Sequence, residues 1–320
     1  MAIEKKDSRC LFLGRATLDV LYWLDRLPEE DSKAYARRFR AAPGGPALNA
    51  AITHALLGRQ SVAGGETMLL CAMGGGPWAA AVQAVLRERG IRLLDLAAGS
   101  DFQLPLTTVL INAEKSTRTI VNPPLAEIQL AKLPPDWERA APLDWGPAPS
   151  IALTDGFHLA ETLPLLRALR ASGSLLCFDG GSWKPGTDEL APLLTAAICS
   201  ERFQVPELAG RAKTNLEENP ESHPESIFAY FAARGVPYVA ITRGSRAILA
   251  SDRGRRFTVE IEAVTGADTL GAGDVLHGAF CHFFARHGNF ETALSRAAQI
   301  ATRSCRGLGI EAWTETRTEA

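Results

Sequence analysis

The segment Asp268-Thr269-Leu270-Gly271-Ala272-Gly273-Asp274 runs into the apolar stretch Val275-Leu276-His277-Gly278-Ala279-Phe280. Two glycines at a helix start let the backbone approach a ligand closely. The unpaired N–H groups there, together with the helix dipole, make a seat for an anion. An aspartate in such a seat repels a resting phosphate. It becomes useful when it accepts the proton of a hydroxyl that attacks a phosphoryl group. The N–H groups of Gly271, Ala272 and Gly273 then neutralise charge on the group in transfer. The local pattern alone also fits a glycine-rich loop whose Asp274 caps a helix.

A second segment, Gly44-Gly45-Pro46-Ala47-Leu48-Asn49, also places two glycines before a helix. Asn49 offers a donor and an acceptor for hydroxyl groups. Alone, the segment also reads as a tight turn with a solvent-facing Asn.

The elements that must carry these residues follow from apolar patterning. Cys10 to Gly14 reads as a first strand. Val20 to Leu24 and Ala34 to Arg40 read as strands joined by the polar turn Pro28 to Asp31. Pro46 to Leu57 reads as a helix stopped by Gly58, Met68 to Met73 as a strand, and Trp78 to Arg89 as a helix. Leu106 to Asn112 and Thr117 to Val121 flank the polar tip Ala113 to Ser116, as in a β-hairpin. Downstream, Ser150–Thr154, Leu175–Phe178 and Tyr238–Ile241 read as strands. Leu159–Ala171, Ile227–Arg234, Ala272–His287 and Glu291–Cys305 read as helices. Arg246–Ser251 and Arg256–Glu260 read as a hairpin. Strands alternating with helices predict a mostly parallel, doubly wound sheet. The regions 15–43 and 101–121 break that rhythm and are expected to pair into a small β-sheet lid. The expected division is therefore a core of 1–14, 44–100 and 122–320, and a lid of 15–43 and 101–121.

Composition bounds the function. The chain has 320 residues, with 34 Lys and Arg against 36 Asp and Glu, a net charge of −2. That balance argues against a nucleic-acid or membrane-surface partner. The longest uncharged run, Thr67 to Leu86, is interrupted by Gly74-Gly75-Gly76-Pro77 and reads as strand, turn and helix rather than a membrane span. The N-terminus carries charges and no apolar core, so it does not read as a signal peptide. The six cysteines show no zinc or disulfide spacing, which leads us to expect buried thiols in a cytoplasmic protein. There is no Gly-x-x-x-x-Gly-Lys-Ser/Thr and no Gly-x-Ser-x-Gly. His277, His282 and His287 are five apart and point different ways on a helix.

The Gly-Gly turn before Asn49 and the Asp268–Asp274 segment, about 225 residues apart, resemble the two signatures of the ribokinase-type (phosphofructokinase B) carbohydrate kinases. The resemblance spans nearly the whole chain. It implies a three-layer α/β/α sandwich with a mostly parallel central sheet and a β lid. It implies Asp274 as catalytic base and Gly271, Ala272 and Gly273 as anion hole. It gives Asp19, Gly44, Gly45 and Asn49 to the sugar, and Arg118 to phosphate or sugar. Thr242, Gly244 and Cys305 fall to the nucleotide, which is ATP carried with magnesium. Asp268, with the loop 307–309, would hold potassium. Leu18-Asp19-Val20, Pro28 to Ser32, Ser116 to Ile120 and Cys305 to Leu308 are similar to ketohexokinase. Leu27 to Arg38 also resembles kinases of sulfonated fructose, and Lys33 would there meet an anionic substituent.

Departures from the family pattern are visible. Pro46 stands where ketohexokinase has Asn. Ser200-Glu201-Arg202-Phe203 falls where an Asn-x-x-Glu motif is expected, so Glu201 would reach magnesium only through water. The turn 74–77 replaces an expected Asp. Asp179 to Lys184 follows a strand end, where ligands gather in open α/β sheets. The resulting expectation is a kinase for a hydroxymethyl group of a ketose. A nucleoside kinase would need a base pocket from Tyr22, Trp23, Tyr35 and Phe39. A sugar-sensing protein without turnover is the third reading. A homodimer through the lid is a candidate assembly.

Overall fold

Strand β1 (Cys10–Gly14) is buried along its whole length, and its alternation splits two apolar layers. Cys10 and Phe12 enter one core, and Leu11 and Leu13 the other. In the computed structural model, residues 9–61, 64–115, 117–124, 148–206, 222–264 and 268–314 are described. β2 (Thr17–Leu24) and β3 (Arg38–Gly44) follow, then α1 (Pro46–Gln60), β4 (Thr67–Cys71), α2 (Gly76–Glu88) and β5 (Ile91–Asp95). β6 (Leu106–Asn112), β7 (Thr117–Val121), β8 (Ile151–Thr154), α3 (Leu159–Ala171), β9 (Leu175–Gly180), α4 (Thr187–Leu190) and β10 (Ala196–Ser200) come next. The chain continues through α5 (Ser222–Ala233), β11 (Tyr238–Arg243), β12 (Arg246–Asp252), β13 (Arg255–Val259), α6 (Ala272–His287) and α7 (Phe290–Ser304).

Nine strands form the central sheet in the order β13-β12-β11-β10-β9-β8-β1-β4-β5. β11 with β12 and β12 with β13 pair antiparallel at one edge, and the other pairs are parallel. Residues of α1, α2, α6 and α7 pack one face, and residues of α3 and α5 the other. This is the expected α/β/α sandwich, and both faces are covered as a parallel sheet requires.

A second, four-stranded sheet has the order β3-β2-β6-β7. The two irregular regions of the sequence therefore do pair with each other, through the parallel β2–β6 ladder. Leu21, Trp23 and Val109 form its small core, against which Leu270 and Leu308 pack. The inner face of this sheet thus rests on the loops before α6 and after α7.

Several boundaries differ from expectation. β3 begins at Arg38 rather than Ala34, because its register is set by the Thr17↔Gly44 to Trp23↔Arg38 ladder with β2. Gly58 does not stop α1, which runs on to Gln60 with Gly58 buried in the helix. β5 and β10 were not anticipated. Arg92 interrupts the apolar run of β5, and β10 (AAICS) is short and small-chained. Ser116, at the expected hairpin tip, lies outside the described residues. Among the described residues no helix is long and apolar enough to cross a membrane. All six cysteines are free thiols and five are buried.

α1 and α6 pack closely at Gly278. A Cβ there would lie 2.3 Å from the Ala50 carbonyl oxygen and 2.9 Å from the Thr53 Cβ. Gly278→Val is therefore expected to lower the unfolding free energy by about 1–3 kcal/mol through overpacking, measured by urea denaturation.

Candidate active site

The carboxyl ends of the central strands meet the start of α6 beneath the four-stranded sheet. Gly271 caps α6 in a left-handed conformation (φ 72°), and a Cβ at this position would strike Ile310. This places Asp274 in the first helical turn. Its Oδ2 accepts a hydrogen bond of 2.7 Å from the Asn49 amide. Asn49 is buried, and its Oδ1 has no partner among the described residues. The sequence reading gave Asn49 to sugar hydroxyls; the fold commits its amide to holding Asp274.

Three carboxylates converge here. Asp155, just past β8, accepts backbone N–H groups from Arg15 (2.9 Å), Ala47 (3.2 Å) and Phe157 (2.9 Å). Asp179, at the end of β9, lies 3.4 Å from His277 Nδ1. The His277 ring also faces the carbonyl oxygens of Gly273 (2.7 Å) and Ile198 (3.1 Å). Burial pushes the Asp274 carboxyl up to about 7. The nearby Asp179 charge pushes the same way, and the Asn49 hydrogen bond and His277 oppose both. Asp155 is pushed up to about 6, mainly by burial, against the pull of its N–H donors.

A cavity of about 530 Å³ joins these groups to the small sheet. Asp19, Gly45, Asn49, Arg118, Asp179 and Asp274 line it. Asp19 sits on β2, its Oδ1 taking a 2.6 Å bond from the Thr17 hydroxyl, and burial raises its carboxyl. A Cβ on Gly44 would lie 2.1 Å from the Asp19 carboxylate, so only glycine lets β3 pass there. Gly45 (φ 94°) turns the chain into α1.

A second cavity, of about 390 Å³, adjoins the first. Ile248, Leu276, Ala298 and Ala301 supply its apolar wall, and Thr242, Gly244 and Cys305 also line it. Arg118, Thr269 and Gly273 line both cavities. Arg118 donates to the Thr269 hydroxyl at 2.9 Å. Of the expected anion-hole donors, the Ala272 N–H is turned toward the Thr269 carbonyl at 3.3 Å. The N–H groups of Gly271 and Gly273 have no acceptor among the described residues.

Other expected residues fall elsewhere. Lys33 is exposed on the β2–β3 connection, away from the cavity walls. Tyr35 is 95% exposed, Trp23 is buried in the small core, and Tyr22 packs on Phe39. None of the four lines either cavity, so they build no base pocket. Glu201 lines the second cavity but is ion-paired with Arg246. A magnesium ion carried on nucleotide phosphates would meet it only in competition with that guanidinium. The Asp268 carboxylate accepts N–H groups from Leu270 (3.1 Å) and Gly309 (3.4 Å), and Arg40 takes the Leu308 carbonyl at 3.0 Å. These bonds fix the loop around Asp268, the carboxylate expected for potassium. Among the described residues no group of three or more His, Cys, Asp or Glu could hold a metal.

Asp155, Arg15 and Phe157 were not singled out from the sequence. Each follows the end of a buried parallel strand, β1 or β8, and that position was the available signal.

The fold and its two adjoining cavities define the class: an α/β sandwich with two clefts meeting at the start of α6. A family model described as pfkB family carbohydrate kinase matches residues 7–316, and the chain belongs to that family. It is therefore a sugar phosphotransferase. A deoxyribokinase of Salmonella typhi is 22% identical over 300 residues, 93% of each chain. The ribokinase of Thermotoga maritima superposes with a TM-score of 0.71 at 20% identity, covering 95% of this chain and 94% of that one. The ribokinase of Arabidopsis thaliana, complexed with ribose and ATP, gives 0.68 at 18% identity, covering 96% and 95%.

The raised Asp274 carboxyl carries a stability consequence. A carboxylate whose folded pKa exceeds its unfolded value stabilises the fold when protonated, and that stability is lost as pH rises through about 7. Asp274→Asn removes the penalty. Its Tm is expected to exceed wild type by roughly 2–5 °C at pH 8, and the gap should shrink as pH falls below about 7 and close only near pH 4, read by thermal melts.

Proposed function

We propose that the chain transfers the γ-phosphoryl group of ATP to a hydroxymethyl group of a ketose-like sugar, with Asp274 as general base. The observation that carries this reading is the position of Asp274. It faces the first cavity beside Gly273, which lines both cavities. The sugar occupies the larger cavity, with Asp19 and Gly45 along its wall. The nucleotide occupies the smaller one, its base along Ile248, Leu276 and Ala298 and its phosphates toward Thr269 and Gly273. The complex of the similarly folded Arabidopsis ribokinase with ribose and ATP supports the pairing of a sugar with ATP as ligands.

Asp274 takes the hydroxyl proton as the oxygen attacks phosphorus in line, and ADP leaves with the electron pair of the broken bond. The Gly271 and Gly273 N–H groups, with the positive end of α6, stabilise the charge on the transferring oxygens. Arg118 adds a guanidinium at the junction. Magnesium carried on the phosphates would supply countercharge there, with Glu201 a carboxylate in that cavity wall. The four-stranded sheet, whose inner face rests on Leu270 and Leu308, shields the transfer from water. The same reading takes the exposed Phe39, Ile120 and Val121 of this sheet as the contact of a homodimer.

ADP release from Mg-ATP is the test, with fructose, other ketoses, ribose, deoxyribose and adenosine as acceptors. One sugar should turn over, and Asp274→Asn should lose roughly 10³-fold in kcat. Wild-type kcat/KM should rise with pH through about 7, because only the ionised Asp274 accepts a proton. Turnover of adenosine alone would overturn the sugar assignment, and an undiminished Asp274→Asn would overturn the base.

A further inference from the structure

A third cavity, of about 880 Å³, opens beside the sugar cavity. Trp78, Phe102, Gln103, Pro105 and His158 line it. It shares only Arg15 and Phe157 with the sugar cavity, and no residue with the nucleotide cavity. Arg15 therefore marks the end of the acceptor site remote from the phosphoryl donor.

The Arg15 side chain is half-buried. Its guanidinium lies 5.2 Å from the Phe157 ring centroid and donates to the Asn122 side-chain carbonyl at 3.2 Å. Asp155 takes the Arg15 backbone N–H, not its side chain. Among the described residues no carboxylate forms an ion pair with this guanidinium. Lys184 reaches the same ring, with its ammonium 4.5 Å from the centroid. Its recorded hydrogen bonds go to the Ser182 carbonyl and hydroxyl, both at 3.2 Å. It too has no ion pair among the described residues. Exposed arginines elsewhere do pair, as in Arg167–Glu189, Arg255–Glu291 and Arg306–Glu262.

The arrangement is costly without a ligand. A cation drawn from water needs a compensating anion, and a neutral carbonyl is a weak substitute. Burial lowers the proton affinity of both Arg15 and Lys184, and the nearby carboxylates, Asp155 and Asp19 for Arg15 and Asp155 and Asp179 for Lys184, offset it only in part. The side-chain hydrogen bond of Arg15, to Asn122, uses one of the five N–H donors of the guanidinium, and the residue lines two cavities. The phosphates of the nucleotide do not explain this charge, because the arginines lining their cavity are Arg118 and Arg202.

We propose that the sugar acceptor carries an oxyanion at the end remote from the phosphorylated hydroxyl, and that Arg15 binds it as the specificity-determining residue. The proposal rests on the reading of the first cavity as the acceptor site. A planar oxyanion takes two parallel bonds from a guanidinium. Lys184 adds charge across the Phe157 ring, and the third cavity gives the substituent room. Carboxylate, sulfonate and phosphate share this chemistry.

Matched acceptors separate them: fructose against fructuronate, 6-deoxy-6-sulfofructose and fructose 6-phosphate. For at least one anionic partner, wild-type kcat/KM should exceed that for fructose by about 10-fold or more. Arg15→Met should raise the KM for that acceptor about 10- to 100-fold and the KM for fructose by a clearly smaller factor. Arg15→Lys should recover part of the loss. Lys184→Met, on the other side of the ring, should weaken the same acceptor if Arg15→Met does not fold. Equal use of fructose and all three anionic acceptors overturns the proposal, as does an Arg15→Met effect equal on both classes. Calorimetry without nucleotide separates this outcome from failure of the kinase reading. Arg15-dependent binding of an anionic sugar without turnover sustains the anion site and overturns the kinase assignment. Equal or absent binding of charged and neutral sugars overturns the anion site, whatever the turnover.

Discussion

Holding carboxylates at one edge of a buried sheet is the constraint around which the molecule is built. Asp155, Asp179 and Asp274 crowd the carboxyl ends of the central strands, where burial and mutual repulsion both penalise charge. Asp155 and Asp274 are held mainly by dipoles. Asp155 is tied down by N–H groups from three separate segments. Asp274 leans on one amide from a helix that begins 228 positions earlier, at Pro46. The aspartates therefore organise the turns after β1 and β8 and the start of α1, as well as serving the cleft.

Glycines make this crowding sterically possible. A Cβ on Gly14 would fall 1.9 Å from an Asp155 oxygen, and one on Gly44 would fall among the atoms of Asp19. At these positions the backbone itself forms the wall against which a carboxylate rests. The small sheet then closes the opposite side. Its inner residues pack on Leu270 and Leu308, so the strands that carry Asp19 and Arg118 are referenced directly to the loops around the start of α6.

Much of this was legible in the residues. Gly271 and Gly288 bound α6 at Ala272 and His287, as read, because both glycines adopt the left-handed conformation that ends a helix. The two irregular regions declared the second sheet, because their alternating strands lacked intervening helices. The site was legible where a motif was local, as at Gly271 to Asp274. It was illegible where a residue matters through its place in the sheet. Arg15 and Asp155 belong to no spacing pattern, and only the strand ends bring Arg15 to the cavity wall and Asp155 behind it. Lys33 shows the reverse: its charge suggested a ligand contact, and the β2–β3 connection carries it into solvent.

Arg118 belongs to the walls of both principal cavities while it bonds to Thr269, which also lines both. A ligand that draws this guanidinium toward itself alters the wall that the other ligand meets. Thermodynamic reciprocity then fixes the relation between them: whatever the first contributes to the affinity of the second, the second returns in equal measure. One side chain shared between two compartments would thus tie the affinities of their ligands together through strand β7.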